Sequence, residues 1–402
     1  MMRRIVNLAN RARPVTVLAA LATALLGCGS DASTTRGGPG SPLPGLSSRE
    51  QGRFAAGLAL FDKVFTPAEG LGPAFNENQC SACHTVPATG GTTGFERVIK
   101  ATRFTPPDRC DLLADAGGEN VRKQATPLLR ARGVEREAIP SRAGDTGRVL
   151  PPALFGLGLV EAIPAAAIAQ HADPDDVDGD GISGRPGRTA DGRLARFGRK
   201  AEFATIQEFI EGALRLEMGL TTPRRPHEPP VNGRPVPAGT DPARDPEVSQ
   251  TVVDLLTSFV RFLDAPAPAP PRSRAHRDTL ARGEALFGSL GCAACHTPAL
   301  RTGDHTVPAL AQREVRLYSD LLLHDMGPGL ADVCGPVATP AEVRTEPLMG
   351  LRHRTRFLHD GRTSDLREAI LAHGGEAERA RRSFTRLPWL RQEQLVIFLR
   401  SL

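Results

Sequence analysis

Apolar positions recur at three- and four-residue spacing in four stretches of this 402-residue chain, the period of an amphipathic helix. Ala55-Ala56-Gly57-Leu58-Ala59-Leu60-Phe61 is echoed by Ala281-Arg282-Gly283-Glu284-Ala285-Leu286-Phe287. Val252 to Leu263 is likewise echoed by Leu395 to Leu402. The same order of a first and a terminal helix therefore occurs twice, which marks an internal duplication. Between the halves, Asp264-Ala265-Pro266-Ala267-Pro268-Ala269-Pro270-Pro271-Arg272 predicts a stiff, extended linker over residues 265–272. The expected organisation is a first domain over 47–264 and a second over 273–402. The first carries an insertion, about residues 86–246, rich in Gly and Pro and poor in long periodic segments.

The first 28 residues read as an export signal. Arg3, Arg4, Arg11 and Arg13 precede an apolar run from Val15 to Leu26 that is short for a permanent span. Leu25-Leu26-Gly27-Cys28 has the pattern of a lipobox, which predicts acylation of Cys28. The mature chain is then lipid-anchored on the periplasmic side of a bacterial membrane; an ordinary cleaved signal is the alternative. Residues 29–46 are Gly-, Ser-, Thr- and Pro-rich and read as a flexible tether. The formal charge of +5 includes the four arginines of the signal and no acidic residue from it, so the remainder is close to neutral. Nothing in that balance points to nucleic acid.

Chemistry enters with Cys80-Ser81-Ala82-Cys83-His84 and Cys292-Ala293-Ala294-Cys295-His296. Cys-x-x-Cys-His is the attachment signature of c-type haem: the cysteines form thioethers with the vinyl groups and the histidine turns to the iron. Zinc held by both pairs and a dithiol redox centre are the alternatives. His follows each pair directly and neither pair follows a strand of a βαβ pattern, which favours haem. Two covalently bound haem c groups are thus expected, attached at Cys80, Cys83, Cys292 and Cys295 with His84 and His296 as iron ligands. A first helix, this motif and a terminal helix are the order of a small cytochrome c domain. The expected fold is mainly α: two cytochrome c-like haem domains, the first with a large loop-rich insertion.

Further stretches carry a family likeness. They are Gly72-Pro73-Ala74-Phe75-Asn76, Leu154 to Pro164, Asp178 to Arg185, Asp320 to Gly327, Phe357 to Arg362 and His373-Gly374-Gly375-Glu376-Ala377. With both haem motifs, they make the chain resemble the bacterial di-haem oxidoreductases, a family also described as thiol-oxidoreductase-like and related to di-haem peroxidases. The resemblance implies a periplasmic oxidoreductase of peroxidase-like type that works with a redox partner protein or a small-molecule oxidant. A non-catalytic di-haem electron-transfer cytochrome is the alternative. Where Met349 stands the family usually has Trp, which suggests packing for Met349 rather than ligation. Some relatives oxidise partner proteins through a tryptophan between the haems; this chain offers only Trp389 and Tyr318.

The sixth ligand decides what each iron can do, since a sulfur ligand closes it for electron transfer and an open site beside an acid suits peroxide. Met326, on a glycine-flanked turn, is the expected ligand of the second haem. Met218 is the candidate at the first, or else a core methionine. Glu161, set among apolar residues, is the expected catalytic acid; a structural carboxylate is the alternative. His359 and His324 are further candidates for distal roles, or for donors to a propionate. Asp176, Asp178 and Asp180 with Gly181 begin a calcium loop. Position twelve is Gly187 rather than glutamate, so calcium needs ligands from elsewhere. Cys110 and Cys334 remain, to pair in an oxidising compartment or to act as a dithiol.

Overall fold

The computed structural model describes residues 37–94 and 97–402. The export signal and Cys28 lie outside the described residues. The body opens with α1 (Ser48–Phe61) and continues into the insertion, with strands β1 (Val98–Thr105), β2 (Arg109–Asp111) and β3 (Asp145–Val149) and helix α2 (Ile206–Met218). Then follow α3 (Gln250–Phe262), α4 (Arg274–Ser289), β4 (Leu323–Asp325), β5 (Glu342–Arg344), α5 (Leu366–Leu371) and α6 (Trp389–Leu399).

The duplication read from the pattern is present as two helix crossings. Ser47 caps α1 through a capping box with Glu50, while Ser249 and Ser273 cap α3 and α4. In the first crossing Gly57 meets α3 so closely that a Cβ there would lie 2.1 Å from the Leu255 carbonyl oxygen. In the second, a Cβ on Gly283 of α4 would lie 2.3 Å from the Gln394 carbonyl oxygen of α6. Aromatic rings fill the space beside each contact. Phe259 lies 5.2 Å from Phe54 and 4.8 Å from Phe61 between ring centroids, and Phe287 lies 5.6 Å from Phe398 and 5.8 Å from Tyr318. Each buried ring adds about 1.5–3 kcal/mol of transfer free energy.

The expectation of a mainly α fold holds in part: the chain is 32% helical, with short strands set among the loops of the insertion. β1 lies between β2 and β3, antiparallel to both, with Phe104 opposite Cys110 and Lys100 opposite Gly147. In the second half β4 pairs antiparallel with β5, His324 opposite Val343. Alternation was hard to see because Gly, Pro and charged residues interrupt these short strands.

All the described residues fall in one compact unit that contains both halves. The insertion joins them. Cys110 is disulfide-bonded to Cys334, Arg185 pairs with Glu342 at 2.6 Å, and Arg185 bridges to Leu323 of β4. The end of the supposed tether is also docked: Leu43 and Leu46 are buried, and the Leu43 amide donates to the Phe262 carbonyl at 2.7 Å. The Pro-rich linker has no regular secondary structure and is fastened by the Ala269 N–H, which donates to the Ser401 carbonyl at 2.7 Å. Among the described residues no helix is long and apolar enough to cross a membrane.

Candidate functional site

Each Cys-x-x-Cys-His sits on a single helical turn, Cys80–Ala82 or Cys292–Ala294, against the end of its domain's first helix. Phe61 closes α1 and lies 5.9 Å from the His84 ring; Phe287, its counterpart on α4, lies 6.4 Å from the His296 ring. Each histidine is also held through Nδ1. His84 bonds the Gly91 carbonyl at 2.9 Å and His296 the Tyr318 carbonyl at 3.0 Å. A bonded Nδ1–H sets the tautomer that leaves the Nε2 lone pair for a metal. Burial lowers the basicity of both rings, with His296 brought down to about 4 and the backbone bonds opposing the shift. Both are therefore neutral imidazoles at physiological pH.

The motifs open onto separate cavities. The first, about 400 Å³, is lined by Cys80, Cys83 and His84; the second, about 540 Å³, by Cys292, Cys295 and His296. Because the two cysteine pairs face different cavities, one zinc site built from both is ruled out. Burial pushes the Cys80 thiol up to about 12 and the Cys292 thiol up to about 11, away from the thiolate that a dithiol redox centre requires. Leu150, Pro151, Arg199, Val343 and His359 line both cavities, so the two sites share a wall.

A haem also brings propionate carboxylates, and the second cavity has a basic cluster to meet them. Glu346 is surrounded by Arg199 at 2.7 Å, Arg344 at 3.0 Å and Arg354 at 3.2 Å. Burial works to raise the Glu346 carboxyl, yet Arg199, Arg354 and Arg344 hold it down at about 2. Three guanidinium groups exceed one carboxylate, and the buried Nε atoms of Arg199 and Arg354 have no partner among the described residues. Added carboxylates would complete that cluster. The donor sets, the apolar walls and these orphaned donors fit haem in both cavities.

The first cavity contains a carboxylate that the sequence reading passed over. Glu217, next to Met218 at the end of α2, lines this cavity and accepts hydrogen bonds from Asn76 at 2.7 Å and from Asn120. Burial raises its carboxyl above the ordinary range, against the opposing pull of Asn76, Lys100 and Asn120. Lys100 and Glu119 share the same wall. The asparagines hold the carboxylate in one orientation, and its raised proton affinity suits a group that takes and returns a proton. One signal was available: Asn76 closes the Gly72–Asn76 family stretch, and a buried asparagine needs a polar partner.

Glu161, the expected catalytic acid, is engaged in contacts between helices. It lines neither cavity; its oxygens accept from the Ile206 amide at 2.8 Å and from Arg261 at 2.6 Å. It thereby caps the N-terminus of α2 and ties it to α3. Met218 is 3% exposed, belongs to the main core cluster and also lines the first cavity. Met326 lines the second cavity, whereas Met349 packs in the core and reaches neither haem cavity.

His359 stands in the shared wall with Nε2 3.1 Å from Asp332, whose other oxygen lies 3.3 Å from Lys200. Burial would raise Asp332, but His359 and Lys200 hold it below the usual carboxylate range. His324 is committed at both nitrogens, to Glu376 at 2.6 Å and Asp320 at 2.8 Å. Burial alone would lower its basicity, but Asp320, Cys295 and Glu376 raise it to about 12. Tyr318 is buried between Phe287 and Phe398, Trp389 is exposed, and neither lines a haem cavity. In the acidic loop the carboxylates that converge are Asp173, Asp176 and Asp178 rather than Asp176, Asp178 and Asp180. Asp180 instead accepts from the Ile182 amide at 2.8 Å.

No curated protein sequence matches the chain. Among solved structures it is similar to hydrazine synthase of Kuenenia stuttgartiensis, with 14% identity, a TM-score of 0.42, and 98% of this chain and 100% of that chain covered. It is similar also to the di-haem peroxidase BthA of Burkholderia thailandensis, with 16% identity, a TM-score of 0.40, and 87% and 86% covered. A MauG-like protein associated with microbial copper homeostasis aligns at 14% identity and a TM-score of 0.38, with 91% and 92% covered. Residues 145–402, which include the shared wall, Glu217 and the second attachment motif, match the family described as di-haem oxidoreductase. With that match over more than half of its length, the chain belongs to the di-haem oxidoreductase family.

Proposed function

We propose that the protein is a periplasmic di-haem peroxidase that reduces hydrogen peroxide at its first haem with electrons received through its second. The observation that carries this reading is Glu217 on the wall of the first cavity, oriented by Asn76 and Asn120. Cys80 and Cys83 would hold the first haem through thioethers with His84 on its iron; Cys292, Cys295 and His296 would hold the second. When bound, these groups supply redox-active iron. Glu217 accepts a proton from one peroxide oxygen and returns it to the other as the O–O bond breaks. With two electrons from a donor and two protons from solvent, one peroxide becomes two waters. Lys100 lines the same cavity and supplies a fixed positive charge, because Glu202 and Glu217 more than offset the lowering of its basicity by burial. Arg199 and His359 line both cavities, so the two sites lie on either side of one wall.

The export pattern ending at Cys28 supports attachment by lipid to the outside of the cytoplasmic membrane or to the outer membrane. A small redox protein or a membrane-bound donor would then supply electrons. The test is to mature the full chain with haem, count haems by their reduced pyridine spectrum, and follow peroxide consumption with a reduced donor. Two covalent haems with catalytic peroxide turnover support the reading. A fully loaded protein that accepts electrons and leaves peroxide unchanged is an electron-transfer cytochrome, and the proposal fails.

A further inference from the structure

The second cavity is lined by His324, Met326, His359, His373 and Glu376 besides the attachment motif, and these differ in whether they have a lone pair to give. His324 has neither nitrogen free, since Asp320 and Glu376 take both. The Glu376 carboxylate is occupied by His324, by the Ser183 amide and hydroxyl at 3.1 and 3.0 Å, and by the Asp325 amide at 3.0 Å. His359 has its buried Nε2 3.1 Å from Asp332, an ion-pair contact without hydrogen-bond geometry, in the wall shared with the first cavity. His373 and Met326 remain.

His373 is built as an iron ligand is built. It follows the C-terminal cap of α5, and its Nδ1 is bonded to the Ala369 carbonyl at 2.7 Å. That is the anchoring His296 receives from Tyr318, and it leaves Nε2 as the acceptor. Among the described residues Nε2 of His373 has no protein partner. A cavity-lining ring nitrogen with a free lone pair can bind a metal, and the Ala369 bond presets the orientation of this ring, whereas the Met326 thioether has no such anchor.

We infer that His373 is the second axial ligand of the second haem, which makes that iron bis-histidine and closed, and leaves Met326 as a cavity-wall residue. This rests on the reading that Cys292, Cys295 and His296 carry a haem, and it gives the second site the character of a relay. An imidazole in place of a thioether also lowers the reduction potential, because methionine ligation is what raises it.

The experiment is spectroscopy of the oxidised full-length holoprotein and three variants, with haem content measured first so that failure of attachment is distinguished from failure of the ligand assignment. Wild type should show a low-spin second haem without the red sulfur-to-iron charge-transfer band, and Met326→Ala should leave that spectrum unchanged. His373→Ala should lose the low-spin signal of this haem and let it bind cyanide or imidazole. His373→Met should restore a low-spin iron, gain the sulfur band and raise the potential, which keeps the test informative where the alanine variant loads haem poorly. A sulfur band in wild type, or loss of the low-spin signal in Met326→Ala with His373→Ala unaffected, overturns the assignment.

Discussion

Replacing Glu217 by Gln keeps the shape of the side chain and removes its capacity to carry a proton. A positioned acid–base group contributes about 10²–10⁴-fold to rate, or roughly 3–5 kcal/mol of barrier. The peroxide kcat/KM of Glu217→Gln should fall by that factor. The local cost is separable. Both Asn76 and Asn120 donate to the carboxylate, and a glutamine has one oxygen to accept, so one donor loses its partner. A hydrogen bond to a charged group is worth about 1.5–3 kcal/mol, which bounds the loss of folding stability. The pH profile gives a second signature. Burial raises the Glu217 carboxyl, so the acidic limb of kcat/KM lies above the ordinary carboxylate range in wild type and is absent in the variant. The assay is stopped-flow peroxide consumption across pH with haem stoichiometry confirmed. Glu161→Gln is the control: it weakens the Arg261 pair at 2.6 Å and should leave turnover in place. A Glu217→Gln protein that turns over peroxide within about threefold of wild type, an effect below 1 kcal/mol of barrier, refutes the acid–base assignment.

Two further substitutions test the packing and the buried charge. Gly57→Ala or Gly283→Ala places a Cβ 2.1 or 2.3 Å from a backbone carbonyl of the facing helix, and overpacking of this kind costs about 1–3 kcal/mol; an unchanged denaturation midpoint would show that the crossings are looser than described. Both oxygens of Glu228 are buried without partners among the described residues, and burial, then Glu247, Asp241 and Asp245, push its carboxyl from 4.5 up to about 9. The folded protein therefore holds a proton that the unfolded chain releases, and the stability this gives is full below pH 4.5 and lost as pH rises through about 9. In chelator-containing buffer Glu228→Gln should remove that slope and gain on the order of 3 kcal/mol at pH 7; parallel pH–stability curves for variant and wild type would contradict it.

What could be read from the chain beforehand was local. Cys-x-x-Cys-His states its chemistry within five residues, and the spacing around Gly57 and Gly283 shows both helix pairs because each apolar stripe needs only its own period. The choice between Glu161 and Glu217 is not local. Both carboxylates sit in apolar helical contexts, and only the path of the insertion turns one to a helix N-terminus and the other to a cavity. Met218 drew notice for its sulfur, and the neighbouring residue carried the polar group that mattered. The ligand-bearing histidines were equally hidden, since His324, His359 and His373 differ in which nitrogen is already taken, and contacts such as His324 with Glu376 span 52 residues.

The central claim is that the two haem sites do unequal work, the first reactive and the second closed. Electron paramagnetic resonance of the oxidised holoprotein, before and after one equivalent of hydrogen peroxide, measures this at each iron directly. The account predicts one high-spin and one low-spin ferric signal, with the high-spin signal lost on addition of peroxide. Two low-spin signals that peroxide leaves unchanged would contradict it.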